Sequence, residues 1–264
     1  MKKILTLLLI QSLYIGCDVI NPPKKDNNAE LAAALVALNA SRTTGASSCT
    51  SASTTTITNP GKVTTPTRTD YVVSGCSSSN LSAIGFSGEN ITSGMSGSSA
   101  SSRILSNSDF FSGSDSDKSI EVTFVLNNSS STLDIVTRAT GTAASSFNGC
   151  SFRIAPSNIT FLSGGGGASP TTVAGNGSAI TSAVGTSLTY CLDAHLESGG
   201  CHLIAWNKSC SSLTSAERGT YPRDAEPVTN SGGTRLGFIL NGVTITNMKI
   251  GTKIGTAGRL LGIE

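Results

Sequence analysis

Two histidines, His195 and His202, are the only imidazoles in a chain of 264 residues, and they flank an expected turn at 197–200. A hairpin there would bring them near one another. Imidazole is the commonest general base, and serine is abundant enough to supply a nucleophile. A serine hydrolase nevertheless needs a strained elbow such as G-x-S-x-G, and the sequence contains none. The pair therefore reads as surface residues of a hairpin. Asp193 and Glu197 share one face of the same strand. Strand rise separates them by about 13 Å, beyond the spacing at which two carboxylates cleave a glycosidic bond. They read as solvated side chains. Zinc is not expected either, since no C-x-x-C exists and neither histidine has the usual zinc spacing.

Two other stretches carry chemical potential. In SGSDSDK (112–118), Asp115 and Asp117 alternate with small residues, so carboxylates and carbonyls could converge on calcium. The rest of an EF-hand is missing, and an acidic turn without metal is the default. No other cofactor is expected; Gly61-Lys62-Val63 lacks the glycine spacing and the Ser/Thr of a phosphate loop. The polar loop 211–234 and its margin hold Arg218, Tyr221, Arg223 and Arg235. Arginine and tyrosine are favoured at binding hot spots, so this loop is a candidate contact surface, weighed against an ordinary crossover.

These residues must be positioned by strands. Residues 119–126 place Ile120, Val122, Phe124 and Leu126 on one side, and 131–138 follow after a short Asn/Ser turn, which predicts a hairpin. Residues 152–154 and 158–162 form a pair broken at Pro156, and 188–196 and 201–206 form another hairpin. The last two segments, 235–240 and 243–250, are joined by Asn241-Gly242, the strongest short-range hairpin signal. Helical character is concentrated at 29–40, where Leu31, Leu35 and Leu38 share a face. The fold class expected is all-β: an antiparallel β-sandwich with a short N-terminal helix.

The chain opens with Met1-Lys2-Lys3, an apolar run at 4–10 and a small residue, Gly16, before Cys17. That is the pattern of an export signal, too short for a permanent span. Leu13-Tyr14-Ile15-Gly16-Cys17 resembles the lipobox of bacterial lipoproteins, with Tyr14 where leucine is usual. The resemblance implies acylation of Cys17 and anchoring in the outer membrane, exposed at the cell surface. The Ser/Thr/Asn-rich remainder resembles surface lipoproteins of spirochaetes, the leptospires in particular. Setting Cys17 aside leaves Cys49, Cys76, Cys150, Cys191, Cys201 and Cys210, an even set suited to disulfides in an oxidising compartment, with fifteen pairings open. The boundaries expected are a signal at 1–16, a lipid-anchored tether with the short helix at 17–45, and one sandwich domain at 46–264.

Without Lys2 and Lys3 the chain carries sixteen basic and sixteen acidic residues. That balance leaves no electrostatic footprint for nucleic acid or anionic headgroups. The 119–138 segment, the Trp206-bearing strand and GFILNGVTITNMKIG (237–251) are similar to the concanavalin-like jelly-roll group, which includes laminin-G-like domains and legume lectins. The function expected is a non-enzymatic, membrane-tethered module binding host matrix proteins or glycans. The alternative is an envelope-structural or assembly lipoprotein with bacterial partners only.

Overall fold

The computed structural model describes residues 48–55, 67–112, 117–197, 199–230 and 232–252. All fall within the compact unit Ala46–Glu264. The signal, Cys17, the 29–40 helix and Asp115 lie outside the described residues.

Two antiparallel sheets face each other. The first runs β1 (Thr50–Thr55), β2 (Thr67–Val72), β16 (Val243–Thr252), β6 (Lys118–Leu126), β12 (Ser187–Glu197), β13 (Gly200–Trp206), β14 (Arg223–Val228) and β11 (Asn176–Gly177), with β4 (Ser96–Gly97) pairing β16. The second runs β10 (Thr171–Val173), β9 (Ile159–Gly165), β8 (Ser146–Ile154), β7 (Thr132–Ala143), β15 (Arg235–Asn241), β5 (Arg103–Ser106) and β3 (Phe86–Glu89). The fold is thus the all-β antiparallel sandwich expected. Its core interleaves Ile120, Val122 and Phe124 from the first sheet with Ile135, Phe152, Phe161 and Phe238 from the second, all fully buried. Each such side chain removed from water contributes about 1.5–3 kcal/mol.

Two expected hairpins are corners instead. β6 pairs with β12 and β16, whereas β7 pairs with β8 and β15, so the turn at 127–131 passes from one sheet to the other. The Asn241-Gly242 turn does the same between β15 and β16. Period-two alternation identifies a buried face, but not the sheet in which the next strand pairs. The two corners are tied together. Asn127 N and Ser131 Oγ donate to Gly242 O at 2.9 and 2.7 Å, and Asn241 Nδ2 donates to Ser130 O at 3.4 Å. Gly242 has φ +64°, and a Cβ there would meet Ser131 Oγ at 2.6 Å, so glycine is required.

The β8–β9 pair around Pro156 and the β12–β13 hairpin form as expected. In β16 a register shift between Ile245 and Asn247 breaks the alternation, so Ile245 and Met248, three apart, both reach the core.

All six cysteines at 49–210 are paired: Cys49–Cys76, Cys150–Cys201 and Cys191–Cys210. Cys150–Cys201 joins β8 to β13 and so links the two sheets.

Candidate functional site

β12 and β13 have two buried faces. Tyr190, Leu192, Ala194, Cys201, Leu203 and Ala205 point into the sandwich. The alternate residues Cys191, Ile204 and Trp206 form a second apolar cluster with Cys210 and Leu213. Residues 207–221 lie over this outer face. The Cys191–Cys210 disulfide fastens one end, and Trp206 Nε1 donates to Glu217 O and Thr220 O at 3.0 and 3.1 Å. A one-turn helix, α1 (Ser215–Arg218), is closed by a capping box between Thr214 and Glu217. Glu217 also pairs with Lys208. The Lys208 bond, followed by the bonds from Thr214, holds its carboxyl down to about 2.

Beside this cover, the same outer face presents a cluster of histidines and carboxylates. Glu197 pairs with Gly200 across a two-residue turn, which sets His195 opposite His202 with ring centroids 4.7 Å apart. The expectation of surface imidazoles is corrected: they are 6% and 5% exposed. His195 Nδ1 lies 3.1 Å from Asp193 Oδ1, and its Nε2 faces Glu197 Oε1 at 4.0 Å. His202 Nδ1 lies 3.1 Å from Glu197 Oε2 and 3.7 Å from Glu226 Oε2. Its Nε2 is buried without a hydrogen bond, 3.5 Å from Asp224 Oδ2. Asp193 and Glu197, about 13 Å apart along an extended strand, thus both reach the His195 ring.

Glu197 and Glu226 hydrogen-bond to each other. That bond holds Glu197 below the ordinary carboxylate range and, with burial and the neighbouring charge, pushes Glu226 above it. Tyr221 closes one side, its ring edge-on to His202 at 5.5 Å, and stays 37% exposed. Each imidazole thereby has a carboxylate facing each ring nitrogen, and the donor set suits a borderline metal ion.

The loop residues singled out in sequence are dispersed. Tyr221 joins the cluster. Arg218 caps its own segment, donating to Leu213 O at 2.7 Å and Ser215 Oγ at 3.1 Å. Arg223 points into the sandwich, donating to Ile159 O, Gly175 O and Asn176 O at 3.1 Å each and lying over Phe161. Arg235 begins β15 in the other sheet. Asp117 Oδ1 lies 3.7 Å from Arg138 Nη2.

No family model and no curated protein matches the chain. Solved structures similar to it include the Caenorhabditis elegans galectin LEC-6, 15% identical with a TM-score of 0.33, covering 55% of this chain and 88% of the galectin. The binding domain of botulinum neurotoxin DC, in complex with SialylT, is 8% identical with a TM-score of 0.34. That match covers 78% of this chain and 43% of the toxin domain's chain. Alginate lyase A1-II′, of polysaccharide lyase family 7, is 9% identical with a TM-score of 0.26, covering 68% and 79%. At these scores the fold assignment stands on the two sheets themselves.

Asp193-x-His195-x-Glu197 is a period-two row, and a two-residue turn makes His202 its cross-strand neighbour, so these four had a legible signal. Asp224 and Glu226 had none, because they arrive on β14 from a distant part of the chain.

Proposed function

We propose that this chain is an exported binding module, tethered to the outer membrane by a lipid on Cys17, facing outward and recognising glycans without catalysis. One observation carries the reading: the six cysteines from Cys49 to Cys210 pair among themselves in three disulfides. Such bonds persist in oxidising compartments, and none of them needs Cys17, which follows the apolar leader. A single acyl chain binds membrane marginally and two or more hold firmly, so the anchor implies multiple acylation.

Recognition is assigned to the outer edge of the β12–β13–β14 face. Tyr221 is the exposed large aromatic among the described residues. An aromatic face accepts the apolar side of a sugar ring, and the nearby carboxylates accept hydroxyl hydrogen bonds. Binding is favoured over catalysis because both imidazoles are buried beyond the reach of a substrate in solution.

Oxidised mature protein on a glycan array should bind saturably, and Tyr221→Ala should weaken binding at least tenfold. Binding only to matrix proteins would replace the glycan reading, and binding to neither would remove recognition of host molecules. In intact cells external protease should digest the protein; survival until the envelope is breached would favour an envelope-structural role. Cys17→Ser should move the protein out of the detergent phase and abolish acyl labelling. An unchanged distribution would overturn the anchor.

A further inference from the structure

We propose that His195, Glu197, His202 and Glu226 form a binding site for one zinc-type divalent cation, held on the outer face of the first sheet. Candidate donors on His195, Glu197 and His202 already lie within 4.8 Å of one another. A tetrahedral ion with bonds of 2.0–2.2 Å spaces its ligands roughly 3.4 Å apart, so the widest pair needs to close by at most about 1.4 Å. Glu197, exposed beside the hairpin turn, already stands 3.1 Å from His202 Nδ1 and 4.0 Å from His195 Nε2 and is the ligand freest to adjust, whereas both rings are buried. Glu226 Oε2 stands 3.7 Å from His202 Nδ1 and is the neighbouring carboxylate assigned as the fourth ligand.

The surrounding shell has the form that orients metal-bound histidines. Each ring turns one nitrogen toward Glu197 and the other toward an aspartate: Asp193 at 3.1 Å for His195, Asp224 at 3.5 Å for His202. A carboxylate behind an imidazole fixes the tautomer and raises the basicity of the nitrogen facing the metal. The orphaned His202 Nε2 gains a full hydrogen bond to Asp224 if the ring moves a few tenths of an ångström, which is the kind of adjustment a bound ion requires. Four carboxylates, those of Asp193, Glu197, Asp224 and Glu226, lie within 3.1–3.7 Å of the two imidazoles, a concentration of acceptors that a dication satisfies. Two nitrogen donors select zinc-like ions over calcium, which takes oxygen. Because the outward side is open at Glu197, an ion can enter without unfolding the sandwich.

The site shares its carboxylates with the face assigned to glycans, but its test reads metal alone, so either reading can fail without the other. Tag-free mature protein, stripped with chelator and with its disulfides intact, is titrated with Co(II) and then Zn(II). Expected are one ion per chain, the visible absorption of four-coordinate cobalt, displacement by zinc, and no displacement by a large excess of Ca2+. Glu197→Gln, at an exposed position, should fold normally and weaken affinity at least tenfold. Asp193→Asn should weaken it about 10–100-fold through the ring it orients. Absence of stoichiometric binding, equal competition by calcium, or affinity unchanged in a folded Glu197→Gln protein would overturn the assignment.

Discussion

Asp134 has a side chain only 2% exposed on β7, and Arg153, opposite it on β8, is its charge partner. The guanidinium donates from Nε and Nη2 to the two carboxylate oxygens at 2.7 and 2.6 Å. Those bonds, led by the hydrogen bond to Asp134, hold the Arg153 guanidinium above its ordinary value. Arg153 itself is 37% exposed, so solvent weakens the attraction, but removing it strands a buried carboxylate. Arg153→Met should cost about 2–3 kcal/mol in urea unfolding. Asp134→Val/Arg153→Val should recover most of that loss, since the stranded charge is gone. A single variant as stable as the parent would show that Asp134 regains water. At this scale residue type was a poor guide to role. Arg223 and Tyr221 stand two apart in the same polar loop, yet one is locked onto three inner carbonyls and the other is exposed. Side-chain direction is set where β14 begins, and loop composition does not encode that.

The element that covers the site rests on α1 and its capping box. Four residues make a helix too short to persist by itself, so its place depends on the Cys191–Cys210 link and on Glu217. Glu217 ordinarily titrates near 4.5 and here near 2. A depressed carboxyl contributes stability that is complete above the unfolded value and is lost as pH falls through the folded one. The cover should therefore loosen between about pH 4.5 and 2. Trp206, the sole tryptophan, donates to the backbone of this segment and reports the change directly. Its emission should shift to the red across that window, whereas Glu217→Gln should show no such acid step and start from a looser cover. An identical acid transition in both proteins would assign the loosening to other groups. Strand positions were well read from alternation, and the β12–β13 hairpin was placed correctly. The two corners were not, because a tight turn suits both a hairpin and a passage between sheets.

For the whole molecule, the disulfides divide the work by loop length. In the chain-entropy picture, separations of 51 and 19 residues correspond to about 4 and 3 kcal/mol for Cys150–Cys201 and Cys191–Cys210. Replacing both cysteines of the first pair with alanine should lower global stability in denaturant by about 4 kcal/mol, since that bond joins the sheets. The same change in the second pair should also release Trp206 emission under native conditions, since that bond fastens the cover. Equal global losses with no change at Trp206 would contradict this division. The cysteine count alone pointed to three bonds and left fifteen pairings open; contact across the core selected one. The amino-acid order by itself settled the antiparallel β-sandwich class, the apolar rows of its strands and the even cysteine set, because alternation and composition are local properties. Which sheet each strand joins, which sulfurs meet, and the gathering of His195, Glu197 and His202 with Asp224 and Glu226 were decided by tertiary structure. Those pairings depend on long-range packing across two sheets, and residues distant along the chain become neighbours only after the core has closed.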